Sequence, residues 1–314
     1  MSYSSRAYQR RGSPQVVTSP RLKAYLALAL AVAGITWSAI FVRWAGVPGT
    51  ASAFYRVLIA GAVLIPWRCA RGRPRRGPAS TVQAAPTTAA AWLAVAGGVF
   101  FALDVALWNT AVMSTRAAVA SVLGNNTPFF VGVMSWVILR RRPRASFWIG
   151  LALALAGCLL IMSADLRAGG PAGNLTGDLL ALIASVFFAA YLMTTERIRA
   201  SMDTLTFNTL AIAGSIVTLL VACAVMGVPL SGYPPRAWLA FAGLGLISQL
   251  MGYFALVYAL GHLPATVTSV GLLAQVPGTA LLAMVLLGEP LSGLQIVGGA
   301  IVLGGIYVVN RQTD

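Results

Sequence analysis

The chain has 314 residues, of which 58% are apolar and only 9% charged, whereas about a quarter of the residues in a typical soluble domain are charged. This composition excludes an ordinary water-soluble globule and a disordered chain. The formal net charge is +15, but the basic residues lie between apolar runs, so we expect no nucleic-acid partner. Three cysteines without a CxxC pair and a single histidine offer neither a disulfide framework nor a metal cluster.

Apolar segments long enough to cross a bilayer recur along almost the whole chain. A helix needs roughly 20 residues to cross about 30 Å of hydrocarbon. The stretch 237–288 contains no charged residue, and Gly261-His262-Leu263-Pro264 predicts a turn that divides it into two helices. We therefore predict an all-α membrane protein with ten transmembrane helices, over 24–42, 50–67, 90–112, 117–138, 145–163, 178–195, 204–226, 237–260, 266–287 and 291–309.

The loops between these helices predict the orientation of the chain. Basic loops stay on the cytoplasmic side of a membrane, and most Lys and Arg residues fall on the side of the N-terminus. We therefore expect both termini to be cytoplasmic, with residues 1–22 as a disordered basic tail, in a bacterial inner (plasma) membrane. Cleavage of the first apolar run as a signal peptide would put the basic cluster 68–76 on the wrong side. Only four basic residues fall in the predicted outer loops: Arg43, Arg116, Arg167 and Arg236.

The second half of the membrane region aligns with the first half at an offset of 148 to 149 residues. Five helices is an odd number, so two such units would cross the membrane in opposite senses, which is the inverted design of secondary transporters. We predict a first repeat over 23–163, an outer linker over 164–177 and a second repeat over 178–310. Four pairs anchor the alignment: Pro128 with Pro277, Asn126 with Gln275, Gly150 with Gly298, and Gly157 with Gly305.

Three strings in the sequence resemble one transporter family. They are Thr36-Trp37-Ser38, Phe54-Tyr55-Arg56-Val57-Leu58-Ile59-Ala60, and Leu287-Gly288-Glu289-Pro290-Leu291-Ser292 leading into Gly298-Gly299. Over about 24–310 the chain is similar to EamA-type members of the drug/metabolite transporter superfamily, and the Gly-Glu turn is the most specific element. The first repeat has Arg140-Arg141-Arg142-Pro143 at this turn, without an acid. The resemblance implies a ten-helix permease that exports amino acids, other small metabolites or amphiphilic toxins.

Two charged residues within the predicted helices are candidates for a binding site. A charge in the middle of a membrane helix costs ~2.5 to 3.5 kcal/mol on insertion scales, so Asp104 must face a cavity or a partner. With Phe100 and Trp108 on the same helical face, Asp104 could hold a substrate ammonium or carry a coupling proton. Alternatively, it is a structural acid bonded to Asn109 or paired with Arg56. Arg56 could itself clamp a carboxylate or hold helix packing.

Prolines occupy corresponding positions in predicted helices 4 and 9. Each proline removes a helical N–H and frees the carbonyl four residues earlier, which in lipid must be satisfied by protein or water. We predict a mid-depth cavity with Pro128 and Pro277 as gating kinks; the alternative is a pair of packed hinges. Predicted helices 5 and 10 carry small-residue pairs that we interpret as close-packing faces, Ala152/Ala156 and Ala300/Gly304. The residues predicted to line the cavity are Trp37, Asp104, Trp108, Asn125, Asn126, Tyr191, Tyr253 and Gln275.

The sequence therefore predicts a secondary transporter and not an enzyme. It contains neither GxxxxGK[ST] nor HExxH, so it has no P-loop for ATP and no zincin motif. We expect export of small metabolites, amino acids first, by alternating access through a central cavity. Alternatives are a multidrug or cation exporter, a nucleotide-sugar exchanger, a lipid flippase and a nontransporting membrane scaffold. We expect no cofactor; the partners are the substrate and the bilayer, and a homodimer remains open.

Overall fold

Helices make up nearly all of the described chain, which in this computed structural model comprises residues 20–71, 87–114, 123–167, 175–287 and 292–311. No strand occurs within these ranges, which confirms the all-helical prediction. Predictions for Arg116, for the turn at Glu289 and for most of the N-terminal tail concern residues outside them. The helices are α1 (Arg21–Ala45), α2 (Gly49–Ala70), α3 (Thr88–Ser114), α4 (Thr127–Val137), α5 (Ala145–Arg167), α6 (Leu175–Arg199), α7 (Thr204–Val225), α8 (Pro235–Leu260), α9 (Ala265–Leu286) and α10 (Gly293–Asn310).

Nine of these helices in the described part of the chain are long and apolar enough to cross a membrane. The exception is α4, which has 11 residues. Its predicted span, 117–138, begins within residues 115–122, which the structure does not describe. The helix boundaries differ from the predicted ones by a few residues, because the length of an apolar segment does not mark the residue at which a helix ends.

Three long helices contain irregular turns. Such turns often lie at hinges or functional sites, because a changed hydrogen-bond pattern redirects side chains. In α1 the helix is interrupted at Trp37. In α8 a π-helical stretch runs over Leu244–Tyr253, and in α9 a 3-10 turn covers Leu272–Ala274. Two residues predicted to line the cavity, Trp37 and Tyr253, therefore lie at irregular backbone.

The helices pack in pairs that bring distant parts of the sequence together. Helix α1 packs on α8, α2 on α7, α3 on both α6 and α7, and α5 on α10. At the α5–α10 crossing, a Cβ atom on Gly150 would lie 2.6 Å from the Gly305 carbonyl oxygen. A Cβ atom on Gly157 would lie 2.6 Å from the carbonyl oxygen of Gly298. The start of each helix thus meets the end of the other, so the two helices run antiparallel with their backbones in contact.

The predicted close-packing pairs of helices 5 and 10 are wrong. Ala152, Ala156, Ala300 and Gly304 are exposed on the surface of the chain, and no atom lies within 4 Å of a Cβ built on Gly304. Small residues recur throughout both helices. Because lipid is as apolar as the protein interior, an apolar residue can face either lipid or a neighbouring helix at similar cost, so residue type does not identify the packed face.

Adjacent glycines of α10 provide a test of this packing. Gly305→Ala is expected to destabilise the protein by about 1 to 3 kcal/mol through overpacking, because the new Cβ would lie 2.5 Å from the Gly150 carbonyl oxygen. The matched control, Gly304→Ala, meets no neighbouring atom and is expected to leave stability unchanged or to raise it slightly, since Ala favours helix. Thermal unfolding in detergent measures both variants. Equal melting temperatures would contradict the assigned crossing.

Candidate functional site

Arg56 on α2 lies at the centre of a buried cluster of charged, aromatic and amide side chains. Its side chain is 1% exposed. The Nε atom donates a hydrogen bond to Gln249 Oε1 at 2.8 Å, and the guanidinium carbon lies 4.7 Å from the centre of the Tyr253 ring and 5.6 Å from that of Phe101. The buried Nη2 has no hydrogen-bond partner among the described residues. A buried donor without a partner is costly, so this atom is available to an incoming acceptor.

The irregular part of α8 places two of these side chains. Gln249 and Tyr253 both belong to the π-helical stretch. Gly245, in the same stretch, lets α8 approach α2 closely, since a Cβ atom there would lie 3.2 Å from the Arg56 carbonyl oxygen. Gln249 was not among the predicted site residues. It is the only glutamine in predicted helix 8, over 237–260, and a polar amide at that depth was the available signal.

Asp104 on α3 places a second buried ionisable side chain in the same region, within electrostatic range of Arg56. It is 7% exposed. No ion pair within 4.0 Å joins the two side chains, and no described residue donates a hydrogen bond to this carboxylate. The alternative in which Asp104 bonds Asn109 is wrong: Asn109 Nδ2 donates instead to the Gly49 carbonyl at 3.2 Å and to Ser52 Oγ at 2.9 Å.

Aromatic rings surround the two charges. Tyr191 of α6 and Tyr253 of α8, both predicted to line the cavity, have ring centres 6.5 Å apart. Phe101 lies between them, 5.2 Å from Tyr191 and 4.7 Å from Tyr253. We call Arg56, Asp104, Tyr191, Gln249 and Tyr253, together with Phe101, the central cluster. Aromatic faces attract cations, so the cluster offers a guanidinium, a carboxylate and ring faces within one buried region.

Trp37 and Trp108 lie in a neighbouring apolar group. Trp37 stacks on Phe41 with ring centres 5.6 Å apart, and both tryptophans pack against the core formed by Phe41, Val42 and Leu244. Trp108 also borders α4, because a Cβ on Gly124 would lie 3.0 Å from its Nε1. These two residues, predicted to line the cavity, therefore pack together around Phe41, Val42 and Leu244 and are not part of the central cluster.

The three amide side chains predicted to line the cavity, Asn125, Asn126 and Gln275, form different hydrogen bonds. Gln275 Nε2 of α9 donates to Asn125 Oδ1 at 3.2 Å, so a hydrogen bond joins residues on either side of the sequence midpoint. Asn126 donates instead to the carbonyl of Leu123 in its own turn, at 3.3 Å. Asn125 and Gln275 are thus brought together by a direct hydrogen bond.

The two prolines predicted as gating kinks each follow a break in the regular helix. Pro128 occupies the first turn of α4, where a missing N–H costs nothing because that group has no helical acceptor. The Gly124 carbonyl that it leaves free accepts a hydrogen bond from the Thr127 hydroxyl at 3.1 Å. Pro277 follows the 3-10 turn of α9 and lies within the helical segment Gln275–Leu287. The irregular backbone therefore begins before each proline.

Polar side chains at the C-terminal end of α6 bind backbone and side-chain groups of neighbouring segments. Glu196 Oε2 accepts a hydrogen bond from the Ala265 N–H at 3.1 Å, at the start of α9, and Glu196 Oε1 lies 3.6 Å from Arg141 Nη1. Arg199 donates to the carbonyl of Val257 in α8 at 3.2 Å and to that of Met202. We call this the Glu196 network. Neither Arg141 nor Arg199 was among the predicted site residues.

The two contacts of Glu196 predict unequal effects of mutation. Glu196→Ala is expected to cost about 1 to 3 kcal/mol, because the partly buried Ala265 N–H loses its acceptor. Arg141→Ala is expected to cost less than about 1 kcal/mol, since Arg141 is 73% exposed. Glu196→Gln keeps an acceptor and serves as the matched control. Melting temperatures in detergent test the order; a larger effect for Arg141→Ala would show that the ion pair dominates.

The helices and the buried polar cluster define a polytopic helical membrane protein, and comparisons with known proteins assign its family. The model of the EamA-like transporter family matches residues 22–163 and 175–311. The chain therefore belongs to the EamA-like transporter family, whose members are membrane transporters and not enzymes. This confirms the family suggested by the sequence strings.

Individual relatives agree with this assignment. The uncharacterized transporter YwfM of Bacillus subtilis (strain 168) is 30% identical over 208 residues, which cover 65% of this chain and 68% of that protein. A probable terminal-alkyne amino-acid exporter of Streptantibioticus cattleyicolor is 28% identical over 207 residues, 66% of this chain and 68% of that protein. One crystal structure, whose description states no function, matches with a TM-score of 0.74 at 20% identity over 93% of this chain and 98% of its own. At this identity it shows the fold alone.

Proposed function

We propose that this protein is a secondary transporter that exports small zwitterionic metabolites, with amino acids as the first class, by alternating access through a central cavity. The observation that carries the proposal is the central cluster, where the buried Arg56 guanidinium, with an Nη2 donor that has no partner among the described residues, lies in the same region as the buried carboxyl group of Asp104. A relative named as a probable amino-acid exporter supports the substrate class.

The chemistry of the central cluster suits a molecule that carries both charges. Arg56 Nη2 has an unused donor for a substrate carboxylate, and charge-assisted hydrogen bonds of this kind are about twice as strong as neutral ones. The carboxylate of Asp104 and the ring of Tyr191 would receive the ammonium. A substrate that brings both charges satisfies both buried groups at once, whereas a simple cation or anion leaves one of them without a partner.

The proposed architecture is ten membrane helices in two inverted repeats, over 23–163 and 178–310, with both termini cytoplasmic in a bacterial inner membrane. The family model supports it by matching the chain twice. The α5–α10 crossing supports it further. Gly150 corresponds to Gly298 in the sequence alignment and Gly157 to Gly305, and the contacts Gly150–Gly305 and Gly157–Gly298 exchange under that correspondence. A twofold axis in the membrane plane produces this exchange.

Alternating access then requires one end of the cavity to open while the other closes. In the proposed orientation the Glu196 network lies at the cytoplasmic end, where it ties α6 to α8, α9 and the turn before α5. Opening toward the cytoplasm would break these contacts. The irregular turns of α1, α8 and α9 are the positions at which the helices would bend.

Counterflow in proteoliposomes tests the proposal. Vesicles containing the purified protein are loaded with a mixture of unlabelled amino acids, single labelled amino acids are supplied outside, and protein-free vesicles serve as the control. Accumulation of one or several neutral amino acids supports the assignment. Accumulation of cationic drugs or nucleotide sugars instead, or of labelled lipid moving between leaflets, would replace it with the corresponding exporter, exchanger or flippase. No transport of any of these by folded, inserted protein would favour a scaffold.

A further inference from the structure

A pocket at the end of α1 and the start of α8 lies outside the central cluster. It has a volume of about 480 Å³, within the range of small-molecule sites. Its lining is aromatic, aliphatic and basic, with no carboxylate: Phe41, Arg43, Trp44, Gly46, Arg236, Leu239 and Ala240. In the proposed orientation this end of the molecule is the outer one.

Two guanidinium groups share this pocket without any counter-charge. Neither Arg43 nor Arg236 has a hydrogen bond or an ion pair from its side chain within the described chain. Gly46, which ends α1 with a φ of 60°, leaves room for Arg236, whose Nη2 would lie 3.9 Å from a Cβ built on this glycine. Both arginines are exposed and line the same recess, so the pocket is suited to an anionic group.

The remaining lining is apolar and faces outward. Leu239 is 76% exposed and Trp44 is 50% exposed, on helices that are apolar enough to cross a membrane. Phe41 forms the inner side of the pocket and stacks on Trp37. A ligand for this site therefore has an anionic head for the two arginines and an apolar part for Leu239 and Trp44. Tryptophan near the headgroup level is also typical of membrane interfaces.

We propose that this pocket binds an anionic phospholipid, with its phosphate between Arg43 and Arg236 and the start of an acyl chain along Leu239 and Trp44. Arginine side chains close to a membrane surface attract anionic lipid headgroups. The lipid would hold the end of α1 against the start of α8, next to the stacked pair Trp37 and Phe41. The assignment does not depend on which substrate the protein transports.

Native mass spectrometry of the detergent-purified protein tests the site, with phosphatidylglycerol as the probe and phosphatidylcholine of the same acyl chains as the uncharged comparison. Wild type is expected to retain phosphatidylglycerol selectively. Arg43→Gln/Arg236→Gln is expected to weaken that binding about tenfold or more, at about 1 kcal/mol for each arginine near a lipid surface. Arg197→Gln/Arg311→Gln removes the same charge from exposed positions at the other end and is expected to bind as wild type does.

A second measurement uses the tryptophan of the pocket. Phosphatidylglycerol brominated near its headgroup is expected to quench wild-type fluorescence more than it quenches Trp44→Phe, because Trp44 contacts the lipid. Equal binding by the two double variants, or equal retention of both lipids, would overturn the assignment. Displacement of the lipid by inorganic phosphate or glycerol phosphate at similar concentrations would also overturn it, and would make the pocket a site for soluble anions.

Discussion

Replacing Arg56 with methionine is expected to reduce transport by about 10- to 150-fold while leaving the protein folded. The reduction corresponds to about 1.5 to 3 kcal/mol for a lost hydrogen bond to a charged group. Stability is expected to stay within about 2 kcal/mol of wild type. Methionine removes the cost of burying a charged guanidinium, which offsets the loss of the Arg56–Gln249 hydrogen bond. Counterflow rates and melting temperatures measure the two effects.

This variant separates the two roles considered for Arg56. If Arg56 only holds helices together, Arg56→Met loses stability and activity in proportion, and conditions that restore folding restore transport. If Arg56 binds the substrate, Arg56→Lys is also impaired, because an ammonium cannot reproduce the planar stacking on Tyr253 or the bidentate hydrogen bonding of a guanidinium. Near-normal transport by folded Arg56→Met would remove Arg56 from the binding site.

Asp104→Asn is expected to have the second large effect on transport. If Asp104 carries the coupling proton, accumulation driven by a pH gradient is abolished, since an amide cannot exchange a proton in this range. Substrate exchange is expected to persist within about tenfold of wild type, because the amide oxygen still accepts a hydrogen bond from an ammonium. Both assays are run on the same proteoliposomes. Equal loss of both activities, or retention of both, would exclude a coupling role.

Asp203→Asn is a suitable control for that experiment. Asp203 caps the start of α7 by accepting a hydrogen bond from the Thr206 N–H at 3.0 Å, and asparagine caps helices equally well. Burial favours a higher pKa for Asp203, but hydrogen bonds from Thr206 and Leu205 and the charge of Arg199 outweigh it and hold the pKa below its ordinary value. Asp203 therefore stays ionised at neutral pH, and both transport activities are expected to survive its replacement.

Much of the fold could be predicted because a helix that crosses the membrane must contain roughly 20 mostly apolar residues. The charge-free stretches correspond to long helices, and the turn at Gly261–Pro264 separates α8 from α9 as expected. The charged residues Arg56 and Asp104 could be identified in the same way, since a charge within an apolar span needs a compensating environment. Tyr191 and Tyr253 followed from their depth in the helices.

The contacts between helices could not be predicted from one sequence. Lipid and protein interior are both apolar, so the pattern of residues in α5 and α10 does not tell which face is buried; the true contact uses Gly150 and Gly305 instead of the alanine pairs. The partner of Asn109 depends on how α2 meets α3, and the position of Gln249 depends on the π-helical stretch. The residue types of a π-helical stretch do not distinguish it from a regular α-helix, so the contact between Gln249 and Arg56 could not be predicted.

The most direct test of the central claim compares one neutral amino acid with two of its relatives in counterflow. One relative is the decarboxylated amine, which lacks the group proposed to bind Arg56, and the other is the deaminated acid, which lacks the group proposed to bind Asp104. Wild type is expected to exchange the zwitterion and to exchange either relative at least about tenfold more slowly, because each leaves one buried charge without a partner. Faster exchange of the amine than of the zwitterion would contradict the account and identify a cation exporter.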